Sequence, residues 1–161
     1  MDLKIPSDVV GRAAIPLSWD DILFGYESNL IQAQSLIDFA CRELADHDGD
    51  DHDLIAIASA SPNDSLGEQV RSIMARREDS PDSAKKWALV AASYIAERDD
   101  LDRLSAVESI YSSFDYPQEL APFIRYMPMT EPDLGSKDAN ENRMLQRLES
   151  FSETMLLPAD G

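Results

Sequence analysis

The residues best equipped for chemistry lie in one short run, Asp46-His47-Asp48-Gly49-Asp50-Asp51-His52-Asp53, which holds five carboxylates and both histidines of the chain. Carboxylate oxygens suit hard cations and imidazole suits transition metals. Asp46, Asp48, Asp50 and His52 are therefore the candidate metal ligands. The calcium-loop pattern tests this. Counted from Asp46, the first, third and fifth positions are acidic, but Asp51 stands where the turn needs glycine and Ile57 where the bidentate glutamate belongs. Counted from Leu44, Gly49 falls correctly, but leucine opens the loop. Both registers fail. The favoured reading is a solvated acidic loop whose carboxylates Asp46, Asp48, Asp50, Asp51 and Asp53 offer a docking surface to a basic partner. A metal site there stays as the alternative, and no cofactor is expected.

Other reactive groups are few. Cys41 is the one cysteine, so no internal disulfide or cysteine-type zinc cluster can form. It falls on the apolar spacing of its segment, which predicts a core thiol rather than a nucleophile. Asp20/Asp21 and Asp99/Asp100 are carboxylate pairs, but they sit at helix starts or in turns, where acids complement the helix dipole or face water. None of the six glycines forms a phosphate-binding or dinucleotide-binding pattern. No H-E-x-x-H or G-x-S-x-G occurs. No catalytic set is expected. The stretch Phe114–Pro128, FDYPQELAPFIRYMP, is richer: it carries four of the ten Phe and Tyr residues, three prolines and a lone cation, Arg125. Tyr116, Arg125 and Tyr126 are the candidate binding residues, since Tyr and Arg favour interface hot spots. The competing reading is a buried corner with Arg125 paired to Asp115 or Glu119.

The elements that position these residues read as helices. Ser18 is placed to cap a helix over Trp19–Tyr26, with Gly25 as a stop. Leu30 to Ala45 repeats apolar residues at helical spacing. Leu54–Ala60 is a short apolar segment tipped toward helix by its alanines. Asp64 is placed to cap a helix burying Leu66, Val70, Ile73 and Met74. Pro81–Arg98 follows, with Ala84, Trp87, Val90, Ala91, Tyr94 and Ile95 on one face. Asp100 is placed to cap the next, which turns Leu104, Val107, Tyr111 and Phe114 inward. Residues 117–125 predict a short helix, and Asp138–Met155 a last long one. No β-hairpin signal and no fixed repeat is present. The expected fold is all-α: a compact single-domain multi-helix bundle of about six to eight helices over residues 1–161. Residues 1–16 are expected as an extended segment, 129–137 as an irregular loop and 156–161 as a flexible tail.

Composition restricts function. The 161 residues are 43% hydrophobic, enough to build a core, and carry 31 acids against 14 bases, a net charge of −17. Residues 1–80 hold 16 acids and 6 bases, and residues 81–161 hold 15 and 8, for nets of −10 and −7. The acidity is spread along the chain. It repels nucleic acid and anionic membranes, and it attracts basic proteins. The opening MDLKIPSDVV has no signal-peptide character and no apolar run is long enough to span a bilayer, so a cytoplasmic protein is expected.

Two blocks carry a resemblance. LSWDDILFGYESNLIQAQSLIDFACREL, Leu17–Leu44, and VESIYSSFDYPQELAPFIRYMP, Val107–Pro128, resemble a bacterial domain-of-unknown-function family, number 2247. The aromatic–Asp–Tyr–Pro turn followed by Arg-Tyr-Met-Pro is the more specific part. The family is similar to immunity proteins of contact-dependent and polymorphic toxin systems. The resemblance implies a helical, acidic binder of a cognate toxin's C-terminal domain, and no catalytic residues. The expected function is therefore neutralisation of a basic, nuclease-like toxin in the cytosol. A metal-dependent enzyme or sensor, and a structural adaptor or homodimer, are the alternatives.

Overall fold

A computed structural model describes residues 3–46, 52–61, 66–76 and 82–158. The protein is all-α: the described residues form eight α-helices, one 3-10 helix and no strand beyond an isolated bridge. The helices are α1 (Ser7–Arg12), α2 (Trp19–Glu27), α3 (Ala33–Asp46), α4 (His52–Ala58), α5 (Gly67–Ala75), α6 (Ser83–Ala96), α7 (Arg103–Ser113) and α8 (Lys137–Met155), with the 3-10 helix at Gln118–Phe123. They gather into two compact units. One comprises Asp2–Gly11 and Pro16–Ser83, and the other Arg12–Ile15 and the chain from Ala84 onward.

In the first unit, α2 packs on α3 and α5, and α3 packs on α4. The expected cap is present. The Ser18 hydroxyl accepts the Asp21 N–H at 3.3 Å, and the Asp21 carboxylate accepts the Ser18 N–H at 2.9 Å. Asp21 is fully buried, and its second oxygen accepts the Ser83 hydroxyl at 2.5 Å. Gly25 does not stop the helix. It is buried inside α2, which runs on to Glu27. The turn falls at Asn29, at φ 64, a left-handed conformation that asparagine tolerates. Leu30 and Ile31 are buried in the connection, and α3 starts later than its apolar spacing implied. The Trp19 and Phe39 rings stack at 5.9 Å.

Two expectations are corrected in this unit. Cys41 is exposed, not a core thiol. The buried face of α3 is Leu36, Ile37, Phe39 and Ala40. Beyond Ala40 the helix rises out of the core, with Arg42, Ala45 and Asp46 exposed beside Cys41. The second correction is α1, which lies inside the segment expected to be extended. Val9 and Val10 are adjacent and both buried. Adjacent side chains of a strand point to opposite faces, whereas a helical turn brings them within about 100° of each other. Burying the pair therefore selects the helix.

In the second unit, α6 places Trp87, Val90, Ala91 and Ile95 in the core without exposure. Pro81, its expected first residue, and Asp64, the expected cap of α5, lie outside the described residues. Asp102, not Asp100, caps α7: it is extended at ψ 98 and accepts the Ser105 N–H at 3.3 Å. Asp100 is engaged by the Arg98 guanidinium instead. Leu104, Val107 and Tyr111 face inward as expected, while Phe114 is half-buried. Ser136 caps α8, which fully buries Leu148 and leaves Met144, Phe151 and Met155 half-buried.

Residues 156–158 are not a free tail. Leu156 is 4% exposed and pairs with Ala13 in the bridge. The Leu157 N–H donates to the Arg12 carbonyl at 2.7 Å, and the Arg12 Nε donates to the Leu157 carbonyl at 2.7 Å. An apolar residue directly after the helix thus has a backbone partner and a place in the core. Leu156→Ala should therefore cost about 2–5 kcal/mol, read as a lower urea midpoint. A change within about 0.5 kcal/mol would return the segment to a tail.

Candidate functional site

The site forms where α7 ends. Asp115 and Tyr116 both take positive φ, 63 and 56. Two successive left-handed residues without glycine are uncommon, and for a bulky tyrosine this is a strained conformation. The Tyr116 N–H closes the turn by donating to the Tyr111 carbonyl at 2.9 Å. Pro117 then starts the 3-10 helix, which packs on α7 and α8. Leu120, Phe123 and Ile124 are buried beneath it, and Phe123 meets Phe151 of α8 at 5.4 Å between ring centres.

Arg125 follows and fastens this corner. Its Nε and Nη2 donate to the two oxygens of Glu108 at 3.1 and 2.8 Å, a bidentate pair. Its backbone N–H donates to the same carboxylate at 2.9 Å. Nη1 reaches Glu141 at 3.0 Å, and Nη2 also reaches the Ser105 hydroxyl at 2.8 Å. That hydroxyl donates to Asp102, the cap of α7, at 2.8 Å. The Arg125 guanidinium holds the Glu108 carboxyl below the usual carboxylate range, outweighing burial, which acts in the opposite direction. Asp102 is also lowered, first by Ser105 and to a lesser extent by Arg125. The two glutamates push Arg125 further up, so it stays charged at any ordinary pH.

The fastened corner presents its aromatic side to solvent. Tyr111 is buried, while Tyr116 is 57% and Tyr126 64% exposed. Tyr111 meets Tyr116 edge-on at 5.3 Å and Tyr126 at 6.5 Å. Partial desolvation, then neighbouring Tyr111 and Glu108, push the Tyr126 phenol above its ordinary value, so it is a neutral donor at pH 7. The chain continues as an irregular loop, as expected, and exposes Met127, Met129 and Leu134. A groove of about 620 Å³ lies between this loop and α8.

Both readings of Phe114–Pro128 are therefore partly realised. Phe123 is core, whereas Tyr116 and Tyr126 are surface. Arg125 is paired, but not to Asp115 or Glu119. Asp115 sits in the strained turn, and Glu119 binds Lys85 at 2.6 Å. The acidic run fares differently. Asp48, Asp50 and Asp51 lie outside the described residues. Asp46 ends α3 and is exposed, and His52 opens α4 and is exposed. Asp53 accepts Arg76 at 2.8 Å. Among the described residues no cluster of three metal-ligating side chains occurs. Sequence reasoning missed Glu108 and Glu141, which lie 17 and 16 residues from Arg125 and share no short pattern with it. It also missed Arg143 and Arg147. Their spacing of four on one helix was visible, but not the Glu131 between them.

Fold and site together define an all-helical protein with an exposed tyrosine and methionine surface built on a buried aromatic corner. The chain belongs to DUF2247, a family described as an uncharacterized protein conserved in bacteria, whose model matches residues 9–155. No curated protein and no solved structure matches it. Among the described residues, no helix is long and apolar enough to cross a membrane.

The clamp has a pH signature. Glu108 has a lower pKa folded than unfolded, so its contribution is present above the ordinary glutamate value of about 4.3 and is lost as pH falls through the folded value. Glu108→Gln should remove that component. Urea unfolding followed from about pH 6 to 3 should lose less stability in the variant than in the wild type. Parallel losses would show that Glu108 is not engaged.

Proposed function

We propose that this protein is a binder rather than an enzyme, and that it captures and neutralises a cognate toxin domain in the cytosol. The observation that carries the reading is the exposed pair Tyr116 and Tyr126 with Met127, Met129 and Leu134. Large apolar side chains left in water on a rigid base are a mark of protein–protein contact. Methionines adapt to a partner's shape, and tyrosines supply area at low entropic cost. Arg125 supports this role indirectly, because its own donors are already engaged within the corner.

The charge supports the same reading. A basic, nuclease-like domain presents a positive surface to phosphates, and a protein of net charge −17 attracts it. The acidic run from Asp46 to Asp53 adds to that field without any special geometry. The toxin assignment rests on the resemblance to immunity proteins read from the sequence blocks Leu17–Leu44 and Val107–Pro128. The complex would form by long-range attraction and be held by apolar anchors.

Co-expression with the toxin gene adjacent to this one tests the reading. Protection of the cells and co-elution on a sizing column are expected. In the purified pair, the association rate should fall on the order of tenfold as salt rises from low ionic strength to about 0.15 M. Tyr126→Ala should mainly speed dissociation. Failure to protect together with failure to co-elute would overturn the assignment.

A further inference from the structure

The groove beside α8 carries a local charge pattern unlike that of the whole protein. Its acids are engaged. Glu131 accepts Arg147 at 2.8 Å, and Glu141 accepts Arg125 at 3.0 Å. Asp133 accepts the Gly135 N–H at 2.8 Å and the Asn140 amide at 3.0 Å. Of the three lining cations, only Arg125 is hydrogen-bonded among the described residues. The Arg143 side chain is 15% exposed, yet among the described residues it makes no hydrogen bond. Its nearest carboxylate oxygen, on Glu131, is 3.7 Å away and is already shared with Arg147. Lys137 lines the same groove and has no ion pair among the described residues.

A guanidinium withdrawn from water with no hydrogen-bond acceptor and only one long, shared ion pair is under-satisfied, and an incoming acceptor relieves that cost. The acceptor must be anionic to match both cations. Met127, Met129 and Met144 line the same groove and offer an apolar, adaptable wall. A bound group therefore needs a carboxylate and an apolar body close together. The last residue of a peptide has both on one Cα. A carboxylate within a chain would have to borrow its apolar body from a neighbouring residue pointing elsewhere.

We propose that this groove binds the free chain end of a partner peptide, its terminal carboxylate meeting Arg143 and Lys137 and its last, apolar side chain lying among the methionines. The assignment rests on the reading of this surface as a partner-binding face, and it names the chemistry recognised there. Arg143 is a recognition residue in this scheme. Lys137 adds charge at the mouth.

The test uses the full chain with ¹³C-methyl methionine and three probes. The first is a six-residue glycine–serine peptide ending in phenylalanine as the free acid. The second is its amide, and the third is that amide with a glutamate before the phenylalanine. Saturable shifts of the Met127, Met129 and Met144 methyl signals are expected with the free acid. Both amides should bind at least about tenfold more weakly. Arg143→Gln should bring the free acid down to the amide's affinity and leave the amide unchanged. Absence of saturable shifts, equal binding of acid and amide, or equal binding of the glutamate amide would each overturn the proposal. Should Arg143→Gln fail to fold, the acid–amide comparison on the unaltered chain decides alone. An acid preference without a toxin complex would overturn the partner assignment and keep the groove. A complex without an acid preference would do the reverse.

Discussion

Arg125 joins three pieces of chain at one point: the middle of α7, the first turns of α8 and the turn that leaves the 3-10 helix. Four guanidinium hydrogen bonds and one from its backbone N–H converge there. A lysine has no planar fork and would reach one carboxylate at a time. The clamp is also what lets its neighbour be exposed. Tyr126 stands in solvent because the residue before it is fixed and the residues before that, Phe123 and Ile124, are buried. The strained Asp115–Tyr116 turn depends on the same anchoring from the other side, since the 3-10 helix it feeds packs on both helices that the clamp ties.

Elsewhere in this unit the cations follow the same habit. Arg12 binds Glu97, Lys85 binds Glu119, Arg103 binds Glu149 and Arg147 binds Glu131. Exposed pairs of this kind each contribute little to stability. Their consequence is electrostatic. A paired cation cancels one acid and leaves the excess acids of this unit to set the field around it. Lys137, without an ion pair among the described residues, interrupts that field at the groove.

How much of this was legible in the sequence follows from the range of each interaction. Ser18 read correctly as a cap because a cap and its partner lie three residues apart. The centres of the buried faces of α6 and α7 read correctly because helical spacing records them directly, while Ala84, Tyr94 and Phe114 at their edges are only half-buried. Cys41 was misread because periodicity gives the direction of a side chain along a helix, not whether the helix still touches the core at that turn. The 1–16 segment was misread because six residues are too few for a periodic signal, and the adjacent valines that decide it act through burial. In the candidate site, the aromatic residues were visible by composition. Which of them are buried depends on packing against α7 and α8, as of Phe123 on Phe151, and the partners of Arg125, Glu108 and Glu141, also come from those helices, so nothing local encodes either.

The bridge between Ala13 and Leu156 bears on how the molecule is made. Residues 12–15 belong to the same unit as the chain beyond Ala84, and they pair with residues 155–157. A ribosome delivers Arg12 145 residues before its partner Leu157. While the intervening chain is being synthesised, the strap at Arg12–Ile15 has no complement, and closing the loop between them carries an entropic cost set by its length. Helices α2 to α5 lie in the unit that ends at Ser83, so their partners within it are made much sooner. The two units should therefore mature at different times. The later one contains the tyrosine surface, so its exposed aromatic side takes shape after the first unit.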